Sequence, residues 1–317
     1  MRKLNKISIV IPVYYNEDNL KPLYEDLVNK VFQNIECDYE LIFVDDGSKD
    51  KSFNVIQELA QNDNKVKVYG LSRNFGSHAA ILCGLCKCTG ECAVVKAADL
   101  QEPSEMILEM IREWENENNV VLAVRSGREE GLSQTLFANF YYSLVRKFAL
   151  PNMPKNGFDT YLIDRKVIEV LRNLDEKNSA LTGQILWSGF RTSQVHYIRQ
   201  ARTIGKSRWT LKKKIRLVMD TLFSFSLVPI DIVTGIGVCS FLGALIWGFI
   251  VLINKLIGNI AVSGWTTLFI FNLMSFGVTM LTLGLLGNYL WRTFDASRNR
   301  PTYIIEREYS YKVTNEK

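Results

Sequence analysis

Apolar residues fall along this chain in two rhythms. Before Trp209, short β-branched runs at residues 7–13, 39–44, 66–71, 93–95 and 120–124 predict buried strands. Between them, apolar residues recur three and four positions apart: Leu20, Leu23, Leu27 and Val31; then Phe53, Ile56, Leu59 and Ala60; then residues 79–87 and 107–114. That spacing predicts amphipathic helices. Each predicted strand ends in a polar loop. Strict alternation of strand and helix predicts an α/β fold, a doubly wound sheet with helices on both faces. Residues 127–153 read as helical and aromatic, 157–164 as a turn and strand, 165–174 and 182–187 as helices, and 195–198 as a last strand.

After Trp209 the rhythm changes. Lys212, Lys213, Lys214 and Arg216 alternate with Ile215, Leu217, Val218, Leu222 and Phe223, the pattern of an interfacial amphipathic helix with a basic face. Residues 230–253 and 265–291 are then long enough and apolar enough to span a bilayer, which takes roughly 20 residues. Trp265 and Trp291 stand where interfacial aromatics belong, and Asn272 and Asn288 are the most polar members. A buried helical hairpin in a soluble protein is the competing reading. Basic residues flank the outer ends, and the connecting segment 254–264 carries only Lys255. The expectation is a multi-pass protein of the plasma membrane with both termini cytosolic. The expected organisation is a cytosolic α/β domain over 1–204, an interfacial helix over 205–228, a membrane hairpin over 229–293 and a cytosolic tail over 294–317.

Composition sharpens this picture in three places. A hydrophobic content of 47% over 317 residues is high for a soluble protein, and the excess lies after Pro229. The formal charge of +5 is modest, but its basic stretch abuts the apolar segments, which points to an anionic membrane surface. Nucleic acid is not expected, because no motif for it appears. Four of six cysteines crowd into Cys83, Cys86, Cys88 and Cys92. Zinc knuckles pair cysteines across a longer loop; a helix here separates Cys88 from Cys83 and Cys86, so small packing residues are expected instead. No signal-peptide pattern opens the chain, so the main domain is expected in a reducing compartment.

The chemistry concentrates at Asp99 and Gln101, just after the run Ala93-Val94-Val95 and just before Pro103. Loops at the carboxyl ends of strands bind ligands in open α/β sheets. Two oxygen-bearing side chains at i and i+2 suit a hard divalent cation, Mg²⁺ or Mn²⁺, completed by phosphate. A helix N-terminal cap with polar neighbours is the plainer alternative.

Four segments fall in one order: Ile11-Pro12-Val13-Tyr14-Tyr15-Asn16-Glu17, Val44-Asp45-Asp46-Gly47-Ser48, Leu71-Ser72-Arg73-Asn74-Phe75-Gly76 and Ala98-Asp99-Leu100-Gln101-Glu102-Pro103. Together with residues 157–164, Arg199-Gln200-Ala201-Arg202, Gly205-Lys206-Ser207-Arg208-Trp209 and the two apolar spans, they resemble the family 2 glycosyltransferases that charge polyprenyl phosphates. Dolichol-phosphate mannose synthases and undecaprenyl-phosphate glucosyltransferases are of this kind. The resemblance covers nearly the whole chain.

It implies a GT-A-type fold with a mixed sheet, and inverting transfer of a hexose from a nucleotide sugar, UDP-glucose first among donors, to undecaprenyl phosphate. Pro12, Tyr14 and Glu17 match the first nucleotide-contacting loop; either Tyr14 or Tyr15 stacks on the base. Asp45 and Asp46, after Val44, match the acidic pair that reads base and ribose. Ala98, Asp99 and Gln101 match the Asp-x-Asp-x-Gln motif, with Asp99 and Gln101 as metal ligands. Ala97 stands where that motif has its first acid. Asp159 matches a catalytic or positioning carboxylate on the acceptor side. Arg125 is a candidate for the donor diphosphate, and Arg199, Arg202 and Arg208 for the lipid phosphate, since a guanidinium fork bonds two phosphate oxygens. The resemblance further implies a homo-oligomer, a tetramer among the options, with a downstream flippase and a second glycosyltransferase as partners. A processive polysaccharide synthase would need more spans and a Gln-x-x-Arg-Trp motif that this chain lacks. A non-catalytic membrane scaffold is the other alternative, and Ala97 is what favours it.

Overall fold

In the computed structural model, residues 2–126, 142–174, 176, 180–200, 220–221, 223–226, 228–257 and 264–310 are described. The apolar runs become strands β1 (Lys6–Val13), β2 (Asp38–Asp45), β3 (Val66–Leu71), β4 (Cys92–Val95) and β5 (Val120–Arg125). Between them lie helices α1 (Glu17–Lys30), α2 (Ser52–Asn62), α3 (Ser77–Lys87) and α4 (Met106–Glu115). Strand β6 (Phe158–Asp164), helices α5 (Arg165–Asn173) and α6 (Leu181–Trp187) and strand β7 (Thr192–Tyr197) follow. The last is three residues longer at its start than sequence predicts, because Thr192 already pairs with Val120.

With a further strand, β8 (Ile305–Ser310), the described residues form an eight-stranded sheet of order β7-β5-β6-β4-β1-β2-β3-β8. Strands β4, β1, β2 and β3 are parallel neighbours, and β6 runs antiparallel between β4 and β5. Strand β7 pairs parallel with β5, so six strands end at one edge and β6 begins there. Alternation along β1 explains the layers. Ile7, Ile9, Ile11 and Val13 share a core with Leu20 and Leu23 of α1, Ile56 of α2 and Met110 of α4. Val10 points to the opposite face, where α3 packs so closely that a Cβ on Gly84 would lie 2.3 Å from Val10 Cγ1. Cys83, beside that glycine, is fully buried, and burial pushes its thiol up to about 12. It packs as a small hydrophobe.

Residues 305–310, inside the stretch read from sequence as a tail, form an eighth strand, β8 (Ile305–Ser310), antiparallel to β3. Its centre is Glu306-Arg307-Glu308, charged as an edge strand tends to be, so no apolar run announces it. The chain divides into two compact units, Met1–Val218 with Pro301–Lys317, and Met219–Arg300.

The second unit holds α7 (Val228–Leu256) and α8 (Trp265–Ser297), of 29 and 33 residues. Each contains a window long and apolar enough to cross a membrane, Val228–Ile250 and Phe271–Ser297. Phe241, Phe249 and Leu281 are each more than 60% exposed, whereas a core hairpin would hide them. Asn272 and Asn288 donate to the carbonyls of Leu268 and Gly284 one turn back, which satisfies their amides inside an apolar helix. Of the predicted interfacial helix, only 220–221, 223–226 and 228 lie within the described residues. There Asp220 accepts from Arg292 at 2.7 Å, and the rings of Phe223 and Tyr289 meet edge to face.

Candidate active site

Parallel strands order 3-2-1-4 around β1, so the chain reverses direction across the sheet between β1 and β4. In open α/β sheets such a switch point is where a ligand crevice lies, at the strand carboxyl ends. Register places the predicted residues along this edge. Pro12 pairs with Val44 and Val13 with Asp45, while Val10 pairs with Val95, one residue before Lys96. Arg125 pairs with Tyr197, and Val124 with Phe158, one residue before Asp159. Residues from six separate segments thus converge without any being near the others in sequence.

The loops after β1 and β2 are tied together. Tyr15, at φ 56°, donates its N–H to Ser48 Oγ at 3.0 Å, and Asn16 N–H reaches Ser52 Oγ at 2.9 Å. The Glu17 carboxylate accepts from the Lys51 N–H at 2.7 Å. Tyr14 and Tyr15, in the loop after β1, meet edge to face at 4.7 Å. The two acids of the pair have different surroundings. Asp46 accepts from the N–H groups of Phe75 and Gly76 at 2.7 and 2.9 Å and so braces the loop after β3. Asp45 is fully buried, and burial pushes its carboxyl up against the opposing bonds from Ser48 and the charge of Arg307.

The loop after β4 turns at Leu100, φ 55°, and the Gln101 N–H lies 3.4 Å from Asp99 Oδ1. Ala98 is buried and Asp99 half-buried. Gln101 is strapped to the segment after β7: Gln200 N–H donates to Gln101 O at 2.9 Å, and Arg199 donates to Gln101 Oε1 at 2.5 Å. Asp99 supplies one hard carboxylate and Gln101 one amide oxygen. A Mg²⁺-like ion takes one or two protein carboxylates and fills its shell with phosphate and water, so this donor set fits one. Arg199 and the metal would compete for the Gln101 oxygen.

Beneath this loop lies a buried polar network that the sequence reading missed. Lys96 is fully buried, and its ammonium donates to the Glu102 carbonyl at 2.6 Å. The Glu102 carboxylate accepts from Thr160 and, at 3.4 Å, from the Tyr197 hydroxyl. Arg125 Nε donates to that same hydroxyl at 3.3 Å, and its terminal nitrogen pairs with Asp159. Burial pushes the Lys96 ammonium down and the Glu102 carboxyl up, and their mutual attraction opposes both. The network links the Asp99 loop to Asp159. Its signal in the sequence was a lysine closing the otherwise apolar run Ala93-Val94-Val95-Lys96. Arg202 and Arg208 lie outside the described residues.

Residues 8–172, just over half the chain, match the Glycosyl transferase family 2 domain. Similarity to curated proteins extends further. The uncharacterized glycosyltransferase YkcC of Bacillus subtilis is 37% identical over 303 residues, 95% of this chain and 94% of that protein. The bactoprenol glucosyl transferase of Shigella phage SfV is 33% identical over 304 residues, 96% of this chain and 99% of that protein. Among solved structures, a mannosyltransferase from Pyrobaculum calidifontis in complex with GDP-Man and Mn²⁺ superposes with a TM-score of 0.49 at 16% identity, covering 68% of this chain and 61% of the other. A domain match that spans β1 to α5, and relatives aligned nearly end to end, make this chain an enzyme, a glycosyltransferase of family 2.

Proposed function

We propose that this enzyme transfers a hexose from a nucleotide sugar, UDP-glucose the first candidate, to undecaprenyl phosphate at a membrane surface. The observation that carries the acceptor is the alignment with the phage bactoprenol glucosyl transferase, which covers 96% of this chain and therefore includes both apolar helices. The edge that gathers Tyr14, Asp45, Asp99 and Asp159 supports a soluble donor bound at the switch point.

The chemistry follows from charge. An oxygen of the lipid phosphate attacks C1 of the sugar, the C1–O bond to the diphosphate breaks, and its electron pair leaves on the diphosphate. A divalent metal, when bound, neutralises that charge. Asp99 is the residue that would hold it; Arg199, bonded to Gln101, and Arg125, paired with Asp159, are cations fixed at the site. The acceptor phosphate has a second pKa of about 6 and is largely dianionic at neutral pH, so no strong general base is needed. Asp159, held by Arg125, then serves to orient the acceptor. Both flanks of the helical pair return to one folded unit, which requires an even number of crossings. Two spans with the catalytic unit on the cytosolic side meet that requirement.

Isolated membranes bearing the enzyme, given a panel of labelled nucleotide sugars and undecaprenyl phosphate, test the reading. Label should appear in a lipid-soluble product and vanish with chelator. Label found only in polymer, or in no product from any donor, sinks it.

A further inference from the structure

Strand β8 follows the second apolar helix and borders β3, with β2 and β3 between it and β1. Its register sets a row across three strands: Asp45 on β2 pairs with Gly70 on β3, and Gly70 pairs with Arg307 on β8. Residues directly opposite one another across a sheet point to the same face. Asp45 and Arg307 therefore share a face, separated by a residue with no side chain. Arg307 leans into that gap. Its guanidinium lies 3.7 Å over the Phe53 ring and its Nη2 is 3.8 Å from Asp45 Oδ2. The gap is necessary: a Cβ on Gly70 would lie 2.8 Å from Phe53 Cε2 and 3.2 Å from Arg307 Nε.

The two charges differ in exposure. The Asp45 side chain is completely buried, whereas that of Arg307 is 43% exposed. A guanidinium carries five N–H donors in a fixed fork. Nη2 faces Asp45, the aromatic face of Phe53 fixes the plane, Nε lies 3.9 Å from the exposed Glu306 carboxylate, and the side chain's 43% exposure leaves N–H groups within reach of a ligand.

We propose that Arg307 is a donor-site residue, positioning the Asp45 carboxylate and offering its outer N–H groups to the nucleoside diphosphate. The strand that returns from the membrane helices would then form one wall of the nucleotide site. The proposal rests on the reading of the Asp45 loop as the donor site.

Calorimetry on the purified full chain in detergent, with UDP and GDP as probes, tests it. Arg307→Ala should weaken nucleotide binding about tenfold or more, and Arg307→Lys should fall between it and the wild type, because a point charge restores attraction without the fork. Glu308→Gln, on the same strand, should leave affinity unchanged, which separates the guanidinium from the pairing of β8. In turnover assays the donor KM should rise while the lipid KM stays. Unchanged affinity in both Arg307 variants overturns the proposal alone. Should Arg307→Ala fail to fold, equal affinity in Arg307→Lys and wild type overturns it. Binding of neither nucleotide by the wild-type chain overturns the reading of the site, and the proposal with it.

Discussion

Arg199 donates to Gln101 Oε1 at 2.5 Å, so a residue from the segment after β7 grips the loop after β4. Sequence alone grouped Arg199 with Arg202 and Arg208 as a lipid-phosphate cluster. The contact puts its charge beside the oxygens that suit a metal, which favours the donor diphosphate as its ligand. Arg199→Ala should therefore raise the donor KM or lower kcat by about tenfold, a loss of roughly 1.5–3 kcal/mol for a charged hydrogen bond. Arg202→Ala should act on the lipid KM instead. Initial-rate kinetics with each substrate varied separates the two, and equal effects on both substrates from both variants would undo the division.

Asp99 is the one carboxylate of its loop before Glu102, because Ala97 replaces the acid that the family motif carries. Asp99→Asn should lower kcat by orders of magnitude with the melting temperature unchanged. Ala97→Asp should tighten the apparent affinity for Mn²⁺ or Mg²⁺, read by metal titration of the rate and by calorimetry with UDP present. Near wild-type turnover in Asp99→Asn would remove this residue from the metal site.

Asp159 is paired with Arg125, and the carboxylate's charge raises the guanidinium's pKa against the effect of burial. Asp159→Asn should leave UDP binding within about twofold and reduce transfer more than tenfold, because the acceptor loses its orientation while the donor loops are untouched. A large loss of UDP affinity would instead assign Asp159 to the donor.

What could be read from the sequence follows from how each element signals itself. Strands β1 to β5 are buried on both faces and so appear as apolar runs, and their loops appear as polar clusters at predictable places. The site residues on β1, β2 and β4 were legible for that reason. Strand β8 was not, since half-exposed edge residues such as Glu306 and Arg307 carry no apolar period. Nor was the Lys96–Glu102–Tyr197–Arg125 network, which is closed by the antiparallel insertion of β6 and the parallel return of β7. Local pattern does not encode strand order, and the pairing of Arg199 with Gln101 depends on it.

Glu40 offers a stability test outside the site. Its side chain is 2% exposed, and burial alone would raise its pKa. Bonds from Lys67 at 2.6 Å, Ser8 at 2.6 Å and the Thr89 N–H at 2.5 Å outweigh burial and hold it at about 2. A depressed carboxyl contributes stability above its unfolded value, near 4.5, and that contribution is lost as pH falls toward 2. The shift amounts to roughly 3 kcal/mol. Glu40→Gln should lower the melting temperature at pH 7 and flatten its fall between pH 5 and 3. A parallel fall in both proteins would show that Glu40 does not set the acid limb.

Both flanks of the helical pair should face the cytosol, with Lys255 on the far side. Strand β8 pairs with β3, so residues 305–310 lie on the same side of any membrane as the sheet. The chain between them must cross an even number of times, and α7 and α8 are the two helices among the described residues with the length and apolarity to do so. Orientation then follows from basic residues close to the spans, which count whether or not they are paired. Arg292 is bonded to Asp220 and Arg298 to Asp295, yet acidic partners contribute little to insertion, so these arginines still weigh with Arg300 and Lys212 to Arg216. Against them stands Lys255 alone, one residue before the end of α7. Lys255→Cys, in a background with the natural cysteines replaced by serine or alanine, should react with an impermeant maleimide in intact cells, while a cysteine at Lys317 should react only after the cells are opened. Labelling of Lys317→Cys from outside would invert the hairpin. Labelling of neither site in intact cells would place both ends of α7 inside and rule out a crossing.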